Sequence, residues 1–151
     1  MEKIENLLKE YKNLMGGDAF EGCTLDDLEN VEKLLHVKLP EDFKKISLEY
    51  TIDYIGGIPN YQIARGVSTL NIVDETLRVR KTIGLPYEFV FLSELDSSVI
   101  LLNTERIPAV IWVDSVAIGR LDSLEQTEYD SWDTYQDYFE FLIQTEKDDI
   151  N

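Results

Sequence analysis

Trp132 stands between Asp130 and Asp133, in a stretch where carboxylates and aromatic rings are interleaved. Residues 122–151 hold ten acidic side chains and a single basic one, Lys147. Tyr129, Trp132, Tyr135, Tyr138, Phe139, Phe141 and Leu142 are set among them. Rings supply contact area and carboxylates supply charge selectivity, so the pattern suits a surface that meets a basic protein. On that reading the partner-contacting candidates are Asp122, Glu125, Glu128, Asp130, Trp132, Asp133 and Asp137, with Asp53 and Tyr54 of the 53–60 turn as the alternative surface. The plainer reading is an amphipathic helix whose rings are core and whose carboxylates face water. One helix can satisfy both.

Catalytic chemistry finds little support. Nucleophilic catalysis needs an activated Ser or Cys beside a base. The only histidine, His36, falls at the end of a helix, where the negative end of the helix dipole accounts for it. The only cysteine, Cys23, precedes a helix start, a position that can lower a thiol pKa, but neighbouring acids oppose a thiolate there. One cysteine and one histidine exclude an intrachain disulfide and a Cys/His zinc site. There is no P-loop and no GxGxxG, and residues 122–133 lack the glycine and spacing of a calcium loop. The expectation is a non-enzyme with no catalytic residue, no metal and no cofactor. A deep pocket gathering several titratable groups would reopen the enzyme reading.

Charge limits the partners. Thirty acidic residues against 14 basic ones give −16 over 151 residues. Such a field disfavours direct nucleic-acid binding and docking on anionic lipid. It steers basic proteins inward, and it serves solubility equally well. The first 15 residues are charged every few positions, unlike a signal peptide. No run approaches the roughly 20 apolar residues that span a bilayer. A cytoplasmic protein is expected.

The elements that must position these residues read as one α+β domain over 1–151. Ile4, Leu7, Leu8, Tyr11, Leu14 and Met15 mark a helix over 2–15, closed by Gly16-Gly17. Thr24 suits an N-cap, in a spacing like a capping box, ahead of an apolar stripe of Leu25, Leu28, Val31, Leu34 and Leu35. Residues 36–39 must leave the helix before Pro40, which suits the first position of the next helix. Phe43, Ile46 and Tyr50 form that helix's apolar face.

Gly56-Gly57 reads as a turn, 61–64 as a short edge strand, and 70–83 as a helix on Leu70, Val73 and Leu77, with a β alternative at 70–73. Residues 89–92, 99–102 and 109–113 are strands, and 116–121 is a plausible fourth. Their spacing of about ten residues suits a mixed or mainly antiparallel sheet of about four to six strands, flanked by N-terminal helices and a C-terminal helix. That last helix is expected over 131–145, packed through Trp132, Tyr135, Phe139 and Leu142.

The stretch from Leu25 through Leu28, Glu29, Val31, Glu32, Leu35, Val37 and Leu39-Pro40-Glu41-Asp42-Phe43-Lys44 resembles the signature of the SUKH superfamily. Its members include fungal cell-wall synthesis regulators and many bacterial immunity proteins. The resemblance extends to strands like 89–92, to Pro108-Ala109-Val110-Ile111-Trp112 and to the final aromatic helix. Within the superfamily the chain looks most like the YobK-type antitoxins. It departs from the pattern at His36, which stands where the family has glycine, and at Gly56-Gly57, which comes later than the family's glycine pair.

The resemblance implies an α+β domain acting as an intracellular antidote. Its implied partner is the toxic domain of a polymorphic toxin, often an LXG-type nuclease, whose basic surface a −16 protein could occupy as a charge mimic. The alternative it implies is a regulatory scaffold acting through protein contacts.

Overall fold

The computed structural model describes residues 2–63 and 70–150. Helix α1 (Glu2–Met15) buries Ile4, Leu7, Leu8 and Tyr11, spaced three and four apart as one helical face requires. Helix α2 (Leu25–Leu35) opens with a reciprocal capping box. The Asp27 N–H donates to Thr24 Oγ1 at 3.1 Å, and the Thr24 N–H donates to Asp27 Oδ2 at 2.9 Å. Aspartate thus does what glutamate or glutamine usually does there. Leu28, Val31 and Leu35 are buried. Leu25, expected in that stripe, is exposed at the helix's open end, and Leu34 is half-buried at the stripe's margin.

Helix α2 stops at His36, whose φ of +56° is left-handed and whose N–H donates to the Glu32 carbonyl. An L-residue in that conformation costs about 1–2 kcal/mol, whereas glycine takes it up freely. His36→Gly is therefore expected to stabilise the fold by about 1 kcal/mol. The readout is a higher denaturant midpoint at unchanged slope; a lower midpoint would show that the imidazole contributes more than the strain costs.

Pro40, expected inside the next helix, is its N-cap, with ψ of 147° still extended; α3 runs Glu41–Glu49. Glu32 ties the two helices across the proline. Its Oε2 accepts the Leu39 N–H at 2.7 Å and lies 3.3 Å from Lys44 Nζ.

Tyr50 does not extend α3 but opens β2 (Tyr50–Thr51), which pairs antiparallel with β1 (Phe20–Glu21). Strands β3 (Tyr54–Ile55) and β4 (Ile58–Pro59) form a hairpin around Gly56-Gly57. The glycines' φ values of +61° and +76° are the consecutive positive pair that a two-residue hairpin turn demands.

The edge strand expected over 61–64 reduces to a single bridge from Gln62 to Asn71, and Ala64 lies outside the described residues. Over 70–83 the helix prevails over the β alternative. Asn71 caps α4 (Ile72–Ile83) by accepting the Asp74 N–H at 2.9 Å. The buried positions are Ile72, Val73, Thr76 and Val79, which leaves the expected Leu70 and Leu77 exposed.

The main sheet is antiparallel throughout, in the order β5 (Phe89–Glu94), β6 (Ser98–Asn103), β7 (Val110–Asp114) and β8 (Asp130–Trp132). Both faces are covered, so its strands read as unbroken apolar runs. Val90, Leu92, Ile100, Leu102 and Val110 face a core built with α1, α2, α3 and α5 (Tyr135–Ile150). Phe91, Val99, Leu101, Ile111 and Val113 face a second cluster with Val79, Ala117 and Ile118.

Two expectations fail here together. Residues 116–121 are not a strand but part of a run of 3-10 turns over Ser115–Ser123, which lays Ala117 and Ile118 on the second face. The fourth strand is Asp130–Trp132, and α5 starts only at Tyr135, so Trp132 is not helical. Pairing opposite Val110 carries the Trp132 ring onto Tyr138 and Phe141, a gain that helical periodicity cannot register. Among the described residues no helix is long and apolar enough to cross a membrane.

Candidate protein-interaction edge

The two outer edges of the main sheet are treated differently. At β5 the Phe91 N–H donates to Thr76 Oγ1 of α4 at 2.9 Å, and the Leu92 carbonyl accepts the Tyr61 N–H at 2.9 Å. At the other end β8 pairs with β7 alone, and no further strand among the described residues covers its outer side. Exposed strand edges invite another chain, and proteins blunt them with short length and charge. Strand β8 is three residues long, with Asp130 exposed on it and Asp133 exposed just beyond it.

A concavity opens at each end of this edge. One, of about 300 Å³, is lined by Trp112 and Tyr129 together with Asp114, Glu128 and Asp130. The indole N–H of Trp112 donates to Ser98 Oγ at 2.8 Å, which fixes that ring. The other, of about 600 Å³, is lined by Trp132 and Phe141 together with Asp133, Asp137 and Glu140. Trp132 is edge-on to Tyr138 at 5.2 Å and tilted against Phe141 at 4.9 Å, so it is a wall of the concavity and an outer member of the core at once.

The structure thus brings together five of the sequence candidates: Glu128, Asp130, Trp132, Asp133 and Asp137. Glu128 is already engaged. Arg120 Nη2 lies 3.0 Å from its Oε1, Arg120 Nη1 donates to its Oε2 at 3.1 Å, and the Glu125 N–H donates to the same oxygen at 2.8 Å. Arg120 and that backbone bond hold the Glu128 carboxyl below the usual carboxylate range. Asp122 and Glu125 are exposed but line neither concavity. Asp53 and Tyr54 sit apart, at the β3 hairpin beside the end of α1.

Sequence reasoning missed Trp112, Asp114, Glu140 and Phe141 as members of the site. Glu140 and Phe141 follow Asp137 by three and four residues, a helical signal that was legible. Trp112 enters only because it pairs with Asp130 across β7 and β8, for which the sequence carries no signal.

A separate recess of about 260 Å³ gathers Glu21, Cys23, Asp27, Tyr61 and Tyr135 among apolar neighbours such as Phe43 and Leu92. Titratable groups meet a pocket here. Burial, and then Asp27, push the Cys23 thiol up to about 11, so it is protonated and a poor nucleophile at neutral pH. Burial likewise raises the Tyr135 phenol. Among the described residues no group of three or more His, Cys, Asp or Glu side chains is arranged to hold a metal ion.

Comparison with curated proteins gives no match. The family model described as SUKH_5, SMI1-KNR4 cell-wall, matches residues 3–142, from the first turn of α1 to the middle of α5. That span takes in the second hydrophobic cluster, all of the first but Ile143, and the open β8 edge. The chain belongs to the SUKH (SMI1-KNR4) family.

Proposed function

We propose that residues 1–151 act as one SUKH immunity domain, an antitoxin that binds and blocks a basic toxin domain, a nuclease of the LXG type. The observation that carries this reading is the open β8 edge, flanked by two aromatic-walled, acidic concavities in a chain of net charge −16. Membership of the SUKH family is consistent with an immunity role. A nuclease domain holds phosphates on a basic surface, and the carboxylates of Asp130, Asp133 and Asp137 would occupy that surface in their place. The role is inhibition by occupancy, without bond-making chemistry in this chain.

The test is calorimetric titration of the purified protein with the toxin domain encoded beside it. A 1:1 complex that weakens steeply as salt rises is expected, because the attraction between opposite surface charges is screened. Failure to form any complex at low ionic strength would end this reading.

A further inference from the structure

A cleft of about 200 Å³ lies between the end of α1 and strands β1 and β3, remote in sequence from the β8 edge. At its floor is Tyr11, only 1 % exposed. Its hydroxyl has no hydrogen-bond partner among the described residues, whereas the equally buried Tyr138 hydroxyl donates to Asn60 Oδ1 at 3.0 Å. The hydroxyl is not among the fully buried atoms left without a partner, so the little surface that Tyr11 keeps lies at the cleft it lines, where a donor can reach it.

Two carboxylates, Asp18 and Asp53, line the same cleft, and among the described residues neither is ion-paired. Burial first, then Asp53, Tyr50 and Asp18, push the Tyr11 phenol up to about 12, so both carboxylates act at the hydroxyl. The rim is aromatic. Phe20 is 53 % and Tyr54 63 % exposed. The frame is rigid: the Asp53 carbonyl accepts the Asn60 N–H at 2.7 Å, and the Gly56 N–H donates to Glu146 Oε1 at 2.8 Å, which ties the hairpin to α5.

We propose that this cleft receives an arginine side chain of the basic partner protein. It offers two carboxylates and a phenol oxygen to a donor fork and two ring faces to a flat cation. A guanidinium supplies both complements, planarity for the rings and several N–H donors for Asp18, Asp53 and the Tyr11 oxygen. A lysine ammonium matches the charge but not the shape. The proposal rests on the reading that the partner is a basic protein, and it adds a second point of attachment that shares no residue with the two concavities of the β8 edge.

The test is an NMR titration of the intact protein with N-acetylarginine amide and, separately, N-acetyllysine amide. The arginine compound should give saturable shifts of the Tyr11, Phe20 and Tyr54 ring signals, and the lysine compound should bind several-fold more weakly. Asp53→Asn should weaken arginine binding about tenfold, the size of one lost charge-assisted bond. Tyr11→Phe should weaken it with no loss of melting temperature, because the missing hydroxyl had no partner.

Ring signals that stay fixed, or equal and unsaturable responses to both compounds, overturn the proposal. Arginine binding that ignores Asp53→Asn does the same. A chain that binds arginine here but forms no complex with the toxin domain would overturn the immunity reading and leave the cleft standing. A toxin complex formed without arginine binding in the cleft would do the reverse.

Discussion

Replacing Asp130, Asp133 and Asp137 together by lysine is expected to weaken the complex with a basic toxin domain by roughly 10²–10³-fold at low salt. Each reversal turns an attraction into a repulsion at the β8 edge, and three changes of about 1–1.4 kcal/mol give that range. The chain's −16 would fall only to about −10, so a loss of this size would report position rather than overall charge.

The fold should tolerate the change. Asp130 and Asp133 are exposed, and the Thr134 hydroxyl is bonded to the Asp137 backbone N–H and not to its carboxylate. Glu128 is left out because its bond to Arg120 would be broken at the same time. The control is the pair Asp122→Lys and Glu125→Lys, which lie outside both concavities and take the charge to −12. It should cost a few-fold at most, since exposed charges act through screened long-range attraction. Equal losses for the two sets would reduce the interface to diffuse charge, and no loss for either would place it elsewhere. As ionic strength rises, the gap between variant and parent should close.

Gly22→Ala is expected to destabilise the fold by about 3 kcal/mol, the upper end of the cost of forcing an extra carbon into a packed site. Gly22 follows β1 and lies against the C-terminal turn of α3. A Cβ there would stand 2.6 Å from the Ser47 carbonyl oxygen and closer still to the Leu48 carbonyl. Both obstacles are backbone, so no rotamer change relieves them. The neighbouring Cys23 N–H already donates to Ser47 O at 2.9 Å, which holds the strand in place.

Chemical denaturation measures the loss directly. Gly17→Ala is the control, since nothing lies within 4 Å of its Cβ position, and it should stay within about 0.5 kcal/mol of the parent. A near-neutral Gly22→Ala would mean that α3 and β1 can separate slightly. The displacement would also move Phe20, and the arginine-binding cleft should lose affinity with it.

Local rules made much of this fold legible. The capping box at Thr24, the extended residues before Pro40, the stripe of α1 and the apolar runs of β5, β6 and β7 all depend on neighbours within a few positions. Turn chemistry is equally local, and Gly56-Gly57 closes its hairpin for that reason. Misreadings came where an apolar residue had two possible burial sites. Leu70 and Leu77 fitted a helical period that α4 uses one position over, and Val116 fitted a strand but is exposed on a 3-10 turn. Trp132 fitted a helix and instead pairs across β7, where its ring reaches Tyr138 and Phe141.

By itself the sequence determined that the chain is acidic, α+β and of the SUKH pattern, because charge, period and the Leu39-Pro40-Glu41-Asp42-Phe43 signature are properties of residues close together in the chain. It also placed the carboxylates of 122–137 in one segment. Only the tertiary structure decided which of them share a surface, because an edge strand and its concavities exist only once β8 has found β7. The same holds for the second cleft. Tyr11 comes from α1, Phe20 from β1, and Asp53 and Tyr54 from the turn into β3. An unpartnered hydroxyl can be recognised only when every group that might have met it has taken its place.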